Sequence, residues 1–123
     1  MGFVLTPEQR QLAAVAGRLA REHLVGIEGE PGRVNRPLLR ALAEHGLLPR
    51  MFPHDGEVSA MTLCLLREAV AMESPEPETA LALQGLGAYP ILQSGGPEIV
   101  DRWIPKVRAG EAVAAFALTE HGG

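Results

Sequence analysis

Cysteine is nearly absent: Cys64 stands alone among 123 residues. One thiol excludes an internal disulfide framework and a thiolate zinc site, and it fits a reducing compartment. Charge of one sign is also missing. Eleven basic and fifteen acidic side chains give a formal net charge of −4, and neither sign runs for five positions. With no basic face to track phosphates, nucleic acid is not an expected partner. No run of about eighteen apolar residues occurs, so no membrane span is expected. The opening Met1-Gly2-Phe3-Val4-Leu5-Thr6-Pro7 lacks the basic start and long apolar stretch of a secretory leader, and the expected location is the cytoplasm. β-branched residues are thinly scattered. Leucine and alanine dominate instead, and this favours helix. At 46% hydrophobic residues the composition excludes disorder, and a chain this long buries about two-thirds of its unfolded surface.

The helix signals are local and legible. Thr6 is a good N-cap, Pro7 sits at the first helical position and Gln9 completes a capping box. Leu12, Val15, Ala16 and Leu19 follow at helical spacing, and Gly26–Gly32 forms a loop. Asn35-Arg36-Pro37 opens a second helix with Leu38, Leu39, Leu42 and Ala43 as its stripe. His45 lies in its last turn and Gly46 just past it. A polar connection, Pro53-His54-Asp55-Gly56, leads to a third helix over 59–72 that is apolar on nearly every face and therefore expected to be central. Ser74-Pro75-Glu76-Pro77 reads as a break, followed by a fourth helix starting near Pro77 or Glu78 whose second half Gly85, Gly87 and Pro90 make irregular. Gly95-Gly96-Pro97 opens a fifth helix that Gly110 closes. Residues 112–119 have no polar side and read as a buried strand. The expected fold is all-α: a compact bundle of about five helices over 1–110, with a C-terminal β-strand in 111–123.

The inventory of reactive groups is thin. His23, His45, His54 and His121 are never three or four apart, so no helix carries a paired metal site. Cys64 sits in the most apolar helix and reads as a buried, inert thiol. Glu68 and Glu73 read as an exposed helix edge, not a carboxylate pair. Gly85-Leu86-Gly87 is a fragment of a dinucleotide-binding fingerprint with no strand before it and no third glycine. No residue of the chain is assigned a catalytic role.

The end of the chain is more specific. Phe116-Ala117-Leu118-Thr119-Glu120-His121-Gly122-Gly123 resembles the F-A-L-T-E-P-G-A-G-S-D segment of the flavin-dependent acyl-CoA dehydrogenases. Gly96 to Glu111, with Trp103-Ile104-Pro105 and Ala109-Gly110-Glu111, is similar to that family's G-x-x-E-x-K-x-x-W/Y-L-P-x-L-A-x-G-E block. Leu5–Arg10 and Leu38–Leu48 are similar to its opening L-T-x-E-Q helix start and to its second helix. The resemblance runs over nearly the whole chain.

It implies an N-terminal helical domain followed by the start of a β middle domain that is otherwise absent. It also implies FAD as cofactor and α,β-desaturation of an acyl-CoA or other acyl thioester: a carboxylate base takes the α-proton while the β-hydrogen passes to the flavin as hydride. By that match Phe116, Leu118 and Thr119 are flavin-side positions, and Glu78, Thr79, Leu83 and Leu86 face the acyl tunnel. The family's catalytic carboxylate lies in a C-terminal bundle outside these residues, so the chain reads as a fragment, inactive by itself. Electron-transfer flavoprotein or a similar acceptor, and a homo-oligomer (dimer or tetramer), are implied for the whole enzyme. Two departures from the pattern stand out: His121 replaces the usual proline, and the loop at Pro53–Gly56 is short. Related flavin oxidases, monooxygenases and acyl-carrier-protein dehydrogenases share the same helical domain. A reading from another class is a helical interaction module that docks a partner on an unpaired strand at 112–119.

Overall fold

The computed structural model describes residues 4–53 and 57–122; His54, Asp55 and Gly56, the heart of the expected polar loop, lie outside the described residues. Six helices follow one another: α1 (Pro7–His23), α2 (Arg36–Glu44), α3 (Leu47–Met51), α4 (Ala60–Ala71), α5 (Pro75–Ser94) and α6 (Pro97–Arg108). The protein is all-α, as its composition led us to expect. The Thr6 capping box is complete: the Thr6 hydroxyl accepts from the Gln9 amide at 3.2 Å, and the Thr6 amide donates to the Gln9 side chain at 2.9 Å. Asn35 and Ser59 cap α2 and α4 in the same way, accepting from the amides of Leu38 and Thr62.

Two local expectations are corrected. Pro75 and Pro77 do not break the chain; both lie in the first turn of α5, where amides have no intrahelical partner and a missing N–H costs nothing. The helix also runs on through Gly85, Gly87 and Pro90 to Ser94. A short helix, α3, fills the stretch after Gly46, because Leu47, Leu48, Met51 and Phe52 are all pulled into the core.

The core is one cluster in which Leu24, Leu38, Leu42, Leu47, Leu48, Phe52, Leu66, Val70 and Leu81 are fully buried. Helix α4 packs on α1, α3 and α5. The small residues Ala16, Gly17 and Ala20 form the buried stripe of α1. α4 is not covered on every side, however. Met61 and Cys64 remain exposed, so the buried-thiol expectation for Cys64 is overturned. An apolar sequence fills a helix without dictating how many neighbours arrive to cover it.

Residues 111–120 form no strand. The amides of Glu111 and Ala112 both turn back to the Lys106 carbonyl, at 2.9 and 3.1 Å, and close α6. Gly110 makes that turn at φ +68°, with its Cα against the α2 backbone at Leu39 and Arg40, a place no side chain fits. Beyond it the chain crosses α5 with no second strand beside it among the described residues. A ladder needs two partners, and the apolar texture of the segment cannot supply one.

Candidate functional site

The segment that crosses α5 is held by a helix side chain. Among the described residues Gln84 is the polar residue buried in the core, only 1% exposed. Its carboxamide donates to the Ala112 carbonyl at 3.0 Å and accepts from the Ala114 amide at 2.7 Å. A carboxamide carries the same donor and acceptor as a peptide group, so Gln84 presents to residues 112 and 114 what a neighbouring strand would present. One turn further along α5, a Cβ on Gly87 would lie 2.7 Å from the Ala115 nitrogen and 2.9 Å from Ala114 Cβ, so glycine permits backbone-to-backbone approach. Arg36 adds a bond to the Glu111 carbonyl at 3.3 Å.

The crossing encloses a groove of about 490 Å³ between α2, α5 and residues 113–116. Leu38 and Leu39 of α2 line one part of it, Thr79, Ala80 and Leu83 of α5 another, and Phe116 lines it as well. The size suits a small-molecule ligand, and the lining is apolar with few polar groups. At the rim Asn35 donates to Glu76 Oε1 at 3.0 Å and to the Ile27 carbonyl at 2.8 Å, tying the α1–α2 loop and α2 to the start of α5. A second groove of about 280 Å³ shares Phe116 in its lining, with Met51, Leu63, Gly85, Leu86, Tyr89 and Pro90.

The structure therefore gathers Thr79, Leu83 and Phe116 around one groove and sets Leu86 in its neighbour. Glu78 takes part in neither. Its carboxylate accepts from Arg67 of α4 at 2.7 Å. Leu118, 73% exposed, and Thr119 extend past both grooves. Glu73 pairs with Arg21 of α1 at 2.7 Å, and hydrogen bonds from that guanidinium hold its carboxyl below the ordinary carboxylate range. His23 and His45 stack with ring centroids 4.0 Å apart. Among the described residues no three His, Cys, Asp or Glu side chains group as metal ligands. The Gly85-Leu86-Gly87 fragment lies inside α5, where its glycines permit close approach of Met51 and of Ala114–Ala115.

Residues 6–111 match the family model described as acyl-CoA dehydrogenase, N-terminal domain. The chain belongs to the acyl-CoA dehydrogenase family, as its N-terminal domain. It is also similar to cyclohexane-1-carbonyl-CoA dehydrogenase of Geobacter metallireducens, 26% identical over 127 aligned residues that cover 98% of this chain and 33% of that protein. The chain thus spans about a third of that relative's length. In this acyl-CoA dehydrogenase domain the matched range stops at Glu111, one residue before the first partner of Gln84. The helices that build the groove lie inside the match; the segment that closes it lies beyond.

Sequence reasoning missed Gln84, Gly87 and the outward bonds of Asn35. A signal for Gln84 was there. Pro77, Leu81, Gln84 and Ala88 form the buried stripe of α5, and a polar residue on such a stripe must have a partner. Among the described residues, no helix is long and apolar enough to cross a membrane.

Proposed function

We propose that this domain forms the acyl-chain side of an FAD-dependent acyl-CoA dehydrogenase that desaturates an acyl thioester between its α and β carbons. The observation that carries the reading is the apolar groove walled by Thr79, Leu83 and Phe116 within a domain of this family. The similarity to a protein named for a cyclic acyl-CoA agrees with a groove that bulky Leu83 keeps short.

FAD fits the remaining site positions in donor type. The Thr119 hydroxyl and the backbone groups of 115–119 are exposed, and they are the kind of donors and acceptors that a flavin's pyrimidine edge needs. Phe116, Leu118 and Thr119 are the residues that would hold it; bound there, the flavin supplies the hydride acceptor. The contribution of this chain is to bind and orient: the groove desolvates the acyl tail and fixes how far the thioester advances. The carboxylate base belongs to a part of the enzyme outside these residues, so this chain is inactive alone. In this reading residues 111–123 begin a β middle domain. The whole enzyme is a cytoplasmic homo-oligomer that passes electrons to electron-transfer flavoprotein or a similar acceptor.

The test is acceptor reduction by the enzyme that carries this domain, with acyl-CoA substrates and mass analysis of the product. A product two hydrogens lighter and a bleached flavin are expected. Thioesters recovered unchanged, or oxygenated products, overturn the reading. The 123-residue chain alone is expected to stay colourless and to reduce no dye.

A further inference from the structure

Phe116 is shared by the linings of the two grooves, with Leu83 in one and Leu86 in the other. Phe116 is 46% exposed and belongs neither to the core cluster nor to the residues packed against it. Its position comes from the backbone just before it. The two Gln84 bonds fix residues 112 and 114, and the close approach of Gly87 fixes 114 and 115. A slip of the segment by one residue loses both bonds and leaves a buried carboxamide without partners, a costly state.

We propose that Gln84 is a positioning residue: it sets Phe116 as a partition between the grooves and so limits how far an acyl chain runs along α5. The proposal rests on reading the larger groove as the acyl site. With the partition in place a ligand has the space between α2 and α5. With it gone, the two grooves join past Leu83 towards Leu86, Tyr89 and Met51, and the path lengthens.

The experiment has two readouts. In the 123-residue chain, Gln84→Leu, which keeps the volume and removes both bonds, is expected to speed exchange of the Ala114 amide by about tenfold or more, as befits one lost hydrogen bond. In the flavin-loaded enzyme that carries the domain, kcat/KM is measured over straight acyl-CoA chains of increasing length. Phe116→Ala should shift the optimum to longer chains. Gln84→Leu should shift it the same way, and the double variant should go no further than Phe116→Ala. Gln84→Asn, one methylene shorter, is expected to restore neither readout, which separates reach from polarity.

Fast exchange at Ala114 with an unmoved chain-length profile in Gln84→Leu would overturn the positioning role. So would additive shifts in the double variant. If Phe116→Ala and Leu83→Gly both leave the profile flat, the acyl reading of the groove has failed instead. The Ala114 exchange then still decides whether Gln84 anchors the segment.

Discussion

Gly87 meets Ala115 backbone to backbone: a Cβ at position 87 would stand 2.7 Å from the Ala115 nitrogen. In an open helix interior, Gly→Ala gains up to about 1 kcal/mol. Here the methyl collides with atoms that cannot rotate away. We expect Gly87→Ala to keep or strengthen α5 while lifting residues 112–116 off it. Hydrogen exchange should show a deprotected Ala114 amide, with global stability by urea unfolding within about 1 kcal/mol of the parent. A protected Ala114 amide in this variant would mean that the crossing is not fixed by the glycine.

Core and groove leucines should separate cleanly in stability. Leu66 is fully buried in the main cluster, whereas Leu86 is half exposed. Leu66→Ala is expected to cost about 2–5 kcal/mol, a large part of a domain's total, and Leu86→Ala less than about 1 kcal/mol. Equal urea midpoints for the two variants would contradict the packing described above.

The Arg21–Glu73 pair contributes to the acid limb of the stability curve. The arginine's hydrogen bonds lower the Glu73 pKa in the folded state, against an opposing contribution from burial. A depressed carboxyl stabilises the fold above its unfolded pKa of about 4.3 and loses that contribution as pH falls through the lower folded value. Arg21 stays charged throughout, its own pKa raised by the same bond. Glu73→Gln should therefore cost a little stability near neutrality, a loss that fades below about pH 4.5 and so flattens the acid limb. An unaltered acid limb would remove this pair from the account.

Leu83 lines the larger groove beside Thr79. Leu83→Gly in the enzyme that carries the domain should move the acyl optimum to longer chains. Each additional buried methylene is worth about 0.8 kcal/mol, or roughly fourfold in specificity constant. Stability should drop by about 1 kcal/mol from the helix glycine. The comparison is kcat/KM across C4 to C12 acyl-CoA for parent and variant, and an identical profile would take Leu83 out of the acyl path.

Much of this is legible in the sequence. Thr6 and Asn35 announced their helices because a cap is a local bond, closed within three residues of its own chain. The 96–111 block and the Phe116–Glu120 segment carried the family resemblance through residue types in order, which needs no fold at all. Thr79 and Leu83 were expected at the acyl tunnel and Phe116 on the flavin side; the structure sets all three around one groove, while Glu78 pairs with Arg67 instead. Charge alone does not say which way a helix turns its glutamate.

Sequence by itself determined the helical class, the caps and the apolar stripes, because each depends on contacts within a turn or two of chain. Only the tertiary structure decided where residues 112–116 go. Their apolar texture suits a strand, yet a strand exists only where a second chain segment offers matching donors and acceptors. Here that offer comes from Gln84, 28 residues away along the chain, on the buried face of α5. The same long-range meeting places Phe116 between two grooves. Spacing along a sequence does not encode a pairing between a side-chain amide and a distant backbone, so that part of the site belonged to the fold.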